Sequence, residues 1–267
     1  LPAHPHNAFI FEDFASFSCL QSQVHTHWVV LQCSSLEDRV RYANTDCFET
    51  YPFPPALSDL SAAKSVETLA CSNLEAIGER YHQFRAELMV TNGEGLTSTY
   101  NRFHDPAETS SGLQELRRLH GEMDQAVLAA YGWSDVLTAC GFALDYLDTE
   151  DDAQLPDALR ERIDSGELFF WDANHALDFQ GQLQAYGAIT GRRKLPWRYR
   201  WPDAVRDDVL ARLLALNAER YAEEVAQGLH GKEGKKAATT PATGAKRRGR
   251  PPKAVQAADT GQIGLAL

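Results

Sequence analysis

The densest group of chemically capable side chains is Asn101-Arg102-Phe103-His104-Asp105, with an amide, a guanidinium, an imidazole and a carboxylate in five residues. Catalysis would need such groups to converge on one reacting atom. Asp105, however, is followed by Pro106 and Glu108, the pattern of a capping box. Its carboxylate is therefore expected to accept from the first amides of a helix, with Pro106 at the first helical position and Glu108 reaching back. Asn101 and Arg102 have no such local employment and are read as candidate ligand or DNA contacts. His120-Gly121-Glu122 lacks the second histidine one turn on that a metal-binding helix needs, so it is expected to pack against a neighbour. His25-Thr26-His27 and Cys33 are not the short-spaced cluster that zinc requires and are read as structural or surface residues. The patterns G-x-x-x-x-G-K-[ST], G-x-S-x-G and H-E-x-x-H do not occur. No catalytic residue and no metal ligand is assigned.

The second group lies near the end of the chain. Lys246-Arg247-Arg248-Gly249-Arg250-Pro251-Pro252-Lys253 sets an Arg-Gly-Arg-Pro core among further cations, as in an AT-hook. Gly249 permits close approach to a groove floor, Pro251 keeps the backbone extended, and arginines suit the narrow minor groove of A·T tracts. Arg247, Arg248, Gly249, Arg250, Pro251 and Lys253 are thus the expected DNA-binding residues; a merely solubilising basic tail is the alternative. The formal charge of −11 hides the asymmetry: eight basic and two acidic residues from Lys232 onward give +6, leaving −17 on residues 1–231. Such a body does not coat itself on DNA, because phosphate binding needs clustered Lys and Arg.

These groups need elements to hold them. Ala8-Phe9-Ile10-Phe11 reads as a strand, and so does the alternating Arg39-Val40-Arg41-Tyr42. Phe17, Leu20, Val24, Trp28 and Leu31 repeat at three- and four-residue steps, predicting one helix between those strands. The prolines of Tyr51-Pro52-Phe53-Pro54-Pro55 stop regular structure. Leu60, Val66, Leu69, Leu74, Ile77, Tyr81, Phe84 and Leu88 predict a long helix ended by Asn92-Gly93-Glu94-Gly95. Leu113, Leu116, His120, Met123 and Val127 form the next stripe, closed by Gly132. Residues 148–161 are acidic and loop-like, and Pro202 opens a last helix through Val205, Val209, Leu213, Leu216 and Arg220. The expected fold is mostly α with a small N-terminal β region (α+β) and a disordered basic C-terminal tail. Its divisions are 1–56, an α+β segment; 57–227, a helical domain; and 228–267, the tail.

Composition sets outer limits. At 43% hydrophobic and 24% charged residues, the chain suits a globular domain with a sizeable core. No apolar run approaches the 18 residues of a membrane span. Five cysteines, an odd number without a C-x-x-C pair, suit a reducing cytoplasm. The opening Leu1-Pro2-Ala3-His4 has neither an initiator Met nor a signal-peptide pattern and reads as part of a longer chain.

Four segments occur together and in order: Arg41-Tyr42-Ala43-Asn44-Thr45-Asp46-Cys47-Phe48-Glu49-Thr50-Tyr51-Pro52-Phe53-Pro54; Gly95-Leu96-Thr97-Ser98-Thr99-Tyr100-Asn101-Arg102-Phe103-His104-Asp105-Pro106; Leu116-Arg117-Arg118-Leu119-His120-Gly121-Glu122-Met123-Asp124-Gln125-Ala126-Val127 through Tyr131-Gly132-Trp133; and Leu213-Leu214-Ala215-Leu216-Asn217-Ala218-Glu219-Arg220. Over most of residues 9–227 the chain thereby resembles the carboxy-terminal region of large bacterial adenine-specific (N6) DNA methyltransferases. Those belong to combined restriction–modification and phage-defence systems. The resemblance implies a parent that uses S-adenosylmethionine to methylate adenine after flipping it out of double-stranded DNA. In that family the cofactor loop and an Asn/Asp-Pro-Pro-Tyr/Phe tetrapeptide lie upstream. Here the Pro-Pro pairs are Phe53-Pro54-Pro55-Ala56 and Arg250-Pro251-Pro252-Lys253, neither preceded by Asn or Asp. The expectation is the end of a target-recognition region plus a helical domain, inactive alone, without its own cofactor, and partnered by DNA and a missing N-terminal methyltransferase domain. A free-standing DNA-binding or adaptor protein using the hook is the alternative. A nuclease is discounted, because Glu233-Gly234-Lys235, the end of a nuclease pattern, falls in the tail.

Overall fold

Asp13 starts the first helix, α1 (Phe14–Gln21), by accepting from the Ser16 amide at 2.6 Å. A second carboxylate, Glu75, accepts from the amides of Phe14 and Ala15 at 2.7 and 2.8 Å. The computed structural model describes residues 9–32, 42–58, 69–150, 154–189 and 194–229. The single helix expected over Phe17–Leu31 is two. Ser22 is extended (ψ 160°), its hydroxyl donates to Cys19 O, and α2 (Gln23–Gln32) restarts after it. Val24 and Trp28 are buried as the spacing predicts, whereas Leu31 is 47% exposed.

A π-helical turn (Asn44–Phe48) and the short α3 (Pro55–Ser58) follow. The long α4 (Leu69–Asn92) carries Gly78, Tyr81 and Phe84 as expected and stops at Gly93, whose φ is +64°. At Gly78 α4 crosses α1 closely: a Cβ there would run into Phe14 O and Ser18 Oγ. Helices α5 (Leu96–Phe103) and α6 (Ser111–Ala130) come next, and Gly132 (φ +81°) lies just past α6. Leu113, Leu116, His120, Met123 and Val127 are all buried, the stripe predicted for α6. Its apolar members share one core with Cys19, Val24, Trp28, Leu74, Tyr81, Trp201, Val209 and Leu213.

Among the described residues the β structure is not N-terminal. Residues 9–11 are unpaired coil: Phe9 packs its ring on Phe48 (4.7 Å) and Tyr42 (5.8 Å), so the apolar alternation there serves ring packing rather than a ladder. Of the second expected strand, Arg39–Arg41 lie outside the described residues and Tyr42 is coil. The sheet is instead β2 (Phe169–Phe170), β1 (Gly141–Leu144) and β3 (Trp197–Arg200), antiparallel in that order, with Phe142 opposite Phe170 and Tyr199. It shares a second apolar cluster with α7 (Asp157–Asp164) and α8 (Ala173–Ala185), through Leu159, Phe170, Phe179 and Leu183. Part of the stretch expected as acidic loop is therefore helix. Pro156 precedes α7, Asp157 occupies its first turn, and burial of Leu159 supplies the driving force.

Pro202 precedes α9 (Asp203–Ala226) as expected, with Val209 and Leu213 buried. The chain forms two compact units, Leu1–Ala222 and Glu223–Leu267. The described part of the second is a helix end closing in a turn with Gly228 at φ +76°. The tail expected to be disordered lies almost wholly outside the described residues. No helix among the described residues is long and apolar enough to cross a membrane.

Candidate nucleic-acid interface

The loop with the most chemical sequence is tied down by its own chain. Arg102 donates from Nε to Glu108 (2.7 Å), from Nη1 to Glu94 (2.8 Å) and from Nη2 to Ser110 Oγ (3.4 Å). That guanidinium holds the Glu108 carboxyl down to about 2. Asp105 does not cap a helix. It accepts from Ala107 N in a tight turn, Glu108 accepts from Ser110 N, and α6 begins at Ser111. The capping box is diverted because Glu108 faces Arg102. Of the two expected contact residues, Asn101 is exposed on α5, and Arg102 points at these carboxylates.

Arg117 of α6 explains the loop's shape. Its guanidinium donates to four backbone carbonyls, Phe103 (2.9 Å), Asp105 (2.8 Å), Glu108 (3.2 Å) and Arg102 (3.3 Å). It also lies over the rings of Phe142 (5.1 Å) and Tyr199 (5.2 Å), joining the loop to the sheet. His104 Nδ1 accepts from the Tyr199 amide at 3.0 Å. Burial, with Arg198, His120 and Arg117 nearby, lowers the His104 pKa to about 3, so its ring is neutral near pH 7.

A buried carboxylate organises the other side. Asp124, fully buried on α6, accepts from the amide (2.8 Å) and the side chain (3.1 Å) of Gln23 and lies 3.4 Å from His120 Nδ1. Gln23 Oε1 in turn accepts from the Trp201 amide at 3.0 Å. Asp124 thus occupies the N-terminus of α2, as Glu75 does that of α1, and both ends are satisfied internally.

Between α2, α5, α6 and the sheet lies a cleft of about 680 Å³. One wall carries Gln23, Thr26 and His27; the other carries Arg198, Tyr199, Arg200 and, from α9, Asp203 and Arg206. Arg200 pairs with Asp145 (3.1 Å) and Asp203 (2.7 Å), Arg206 with Asp203 and Asp207 (both 2.8 Å), and Arg198 approaches Asp145 at 3.8 Å. Burial pushes the His27 imidazole down to about 4, keeping it neutral. Sequence reasoning does not reach these arginines, although the alternation Trp197-Arg198-Tyr199-Arg200-Trp201 is a strand signal that could have. Among the described residues no group of three or more His, Cys, Asp or Glu is placed to hold a metal ion. The hook residues Arg247, Arg248, Gly249, Arg250, Pro251 and Lys253 lie outside the described residues.

Residues 4–55 match the family model described as the MmeI target recognition domain. No curated protein matches the chain, and no solved structure does. The described part of the matched stretch is α1, α2, the π-helical turn and the Tyr51–Pro54 segment. It is bound into the body by Glu75, by Asp124 and by Asn217, whose side chain donates to Thr50 O at 2.6 Å. The cleft wall formed by Gln23, Thr26 and His27 belongs to this stretch.

Proposed function

We propose that this chain is the C-terminal, DNA-recognising and structural portion of a site-specific, S-adenosylmethionine-dependent DNA adenine methyltransferase. The parent enzyme would serve restriction–modification or phage defence. The match of residues 4–55 to a target recognition domain carries the reading. The four ordered segments support it. In the structure they meet in pairs: Asn217 donates to Thr50 O, and the loop after Tyr100 is held by Arg117 of the helix segment.

In this reading residues 1–56 end the target-recognition region, 57–227 form the helical domain that braces it, and 228–267 add a basic tail with the hook. Double-stranded DNA is the partner, and an N-terminal methyltransferase domain supplies the chemistry in the cytoplasm. The described residues do not fit S-adenosylmethionine. Such cofactors sit where a glycine-rich turn runs from a parallel strand into a helix. Here the strands are antiparallel, and the turns into α8 and α9 are Trp171-Asp172 and Trp201-Pro202. No catalytic step is assigned to this chain.

Equilibrium titration of the purified chain with A·T-rich and G·C-rich duplexes, beside an assay of radiolabel transfer from S-adenosylmethionine, tests this. Binding without transfer is expected. Methyl transfer by the chain alone would overturn its assignment as the inactive portion, and absence of duplex binding at low salt would overturn recognition.

A further inference from the structure

The cleft lining carries Arg198, Arg200 and Arg206 with Asp145 and Asp203, and Asp207 pairs with Arg206 beside it, within a body whose net charge is −17. The arginine donors are only partly engaged. Arg198 donates through Nη1 to Trp197 O. Arg200 donates through Nε to Asp145 and through Nη1 to Trp201 O and Asp203. Arg206 donates through Nε to Asp207 and through Nη1 to Asp203. Nη2 of each has no hydrogen-bond partner among the described residues. A guanidinium presents its donors in a rigid fork suited to phosphate oxygens, so a free edge beside a pinned one is a pre-oriented phosphate contact.

His27 lines the cleft, is only 7% exposed, and its Nε2 has no hydrogen-bond partner. That atom is sealed inside the protein, so His27 shapes the cleft wall and does not contact a ligand. An acidic body repels DNA at long range, so any contact with the backbone must be short and confined to sites where arginine donors are left free.

We infer that this cleft seats a phosphodiester group of the DNA strand, held on the free Nη2 edges of Arg198, Arg200 and Arg206. Asp145, Asp203 and Asp207 hold the forks in place and compete with the phosphate for them. The inference rests on the DNA-recognition reading and adds to it the place where the folded body touches the backbone.

The test is a fluorescence-anisotropy titration of a short labelled duplex with the full chain, from about 50 to 200 mM salt. The chain is compared with its Arg198→Ala/Arg206→Ala, Asp203→Asn and Asp157→Asn variants. The double variant is expected to bind roughly tenfold more weakly, with the slope of log affinity against log salt shallower by about one, the value of one lost phosphate. Asp203→Asn should bind several-fold more tightly, a gain that unfolding cannot produce. Asp157→Asn, which removes the same charge at exposed α7, should not change affinity. If the wild-type chain binds while the double variant and Asp203→Asn match it in affinity and slope, the cleft assignment falls and DNA recognition stands. Absence of binding by the wild-type chain at low salt would sink both.

Discussion

The loop at Asn101–Ser110 and the turn at Trp197–Arg206 both set arginines beside carboxylates, yet they do different things. In the loop, Nε, Nη1 and Nη2 of Arg102 and of Arg117 all have partners within the chain. In the turn, Arg198, Arg200 and Arg206 each keep one edge without a described partner. Donor accounting therefore separates an arginine that builds the protein from one that can meet a ligand. Residue type and local spacing do not make that distinction, because both segments look equally reactive on paper.

The largest effect that could break this comparison is at Arg117. Replacement by Ala leaves four carbonyls of the loop without their charged donor and should destabilise the fold by about 3–4 kcal/mol, read by urea denaturation. Lys should rescue little, since one ammonium cannot span those carbonyls. A loss below about 1 kcal/mol would show that the loop holds its shape without Arg117. By contrast, Arg198→Ala/Arg206→Ala should cost little stability, because their three ion pairs, to Asp145, Asp203 and Asp207, are solvent-accessible.

Gly78→Ala should come next. Alanine adds about 1 kcal/mol of helix propensity, but its Cβ meets the Phe14 carbonyl, a backbone atom that cannot rotate away. A net loss of about 1–3 kcal/mol is expected from overpacking. A stabilised Gly78→Ala would mean that α1 and α4 have room to separate.

Glu108→Gln should be smaller, about 1 kcal/mol after allowance for solvent screening at its partly exposed partner. The sign follows from the depressed folded-state pKa of Glu108. Its contribution is present above the ordinary carboxylate range and is lost as pH falls toward about 2. The difference in melting temperature between wild type and variant should therefore close on acidification. A difference that persists at the lowest pH would contradict the Arg102–Glu108 pairing as its cause.

Arg248→Ala/Arg250→Ala should have no effect on stability. It should weaken binding to A·T-rich duplex and flatten the salt dependence by about two, if each arginine neutralises one phosphate. Unchanged affinity and slope would remove the hook from the account and leave recognition to the folded body.

The sequence was most legible where the signal is local and repeated. The stripe of α6 and the stop of α4 at Asn92-Gly93 follow from helical spacing and from glycine's freedom at positive φ. It misled where local patterns have non-local owners. Phe9 and Phe11 alternate as strand residues do, but their rings are taken by Phe48. Asp105 and Glu108 have capping-box spacing, but Arg102 and Arg117 claim the loop first. The sheet is illegible in the sequence because strands of two to four residues are too short to show a period, and Gly141–Leu144 is buried at every residue. The cleft was out of reach for a stronger reason: its walls come from Gln23 to Arg206, and only the fold brings them together.

The central claim, that this chain recognises duplex DNA by sequence, is most directly tested by selection. The full chain is incubated with a random duplex library, and the bound fraction is sequenced over successive rounds. Enrichment of one common site, retained in the Arg248→Ala/Arg250→Ala variant, is the result expected of a target-recognition region. Recovery of sequences no different from the input, or of A·T-rich sequences alone that disappear in that variant, would contradict it.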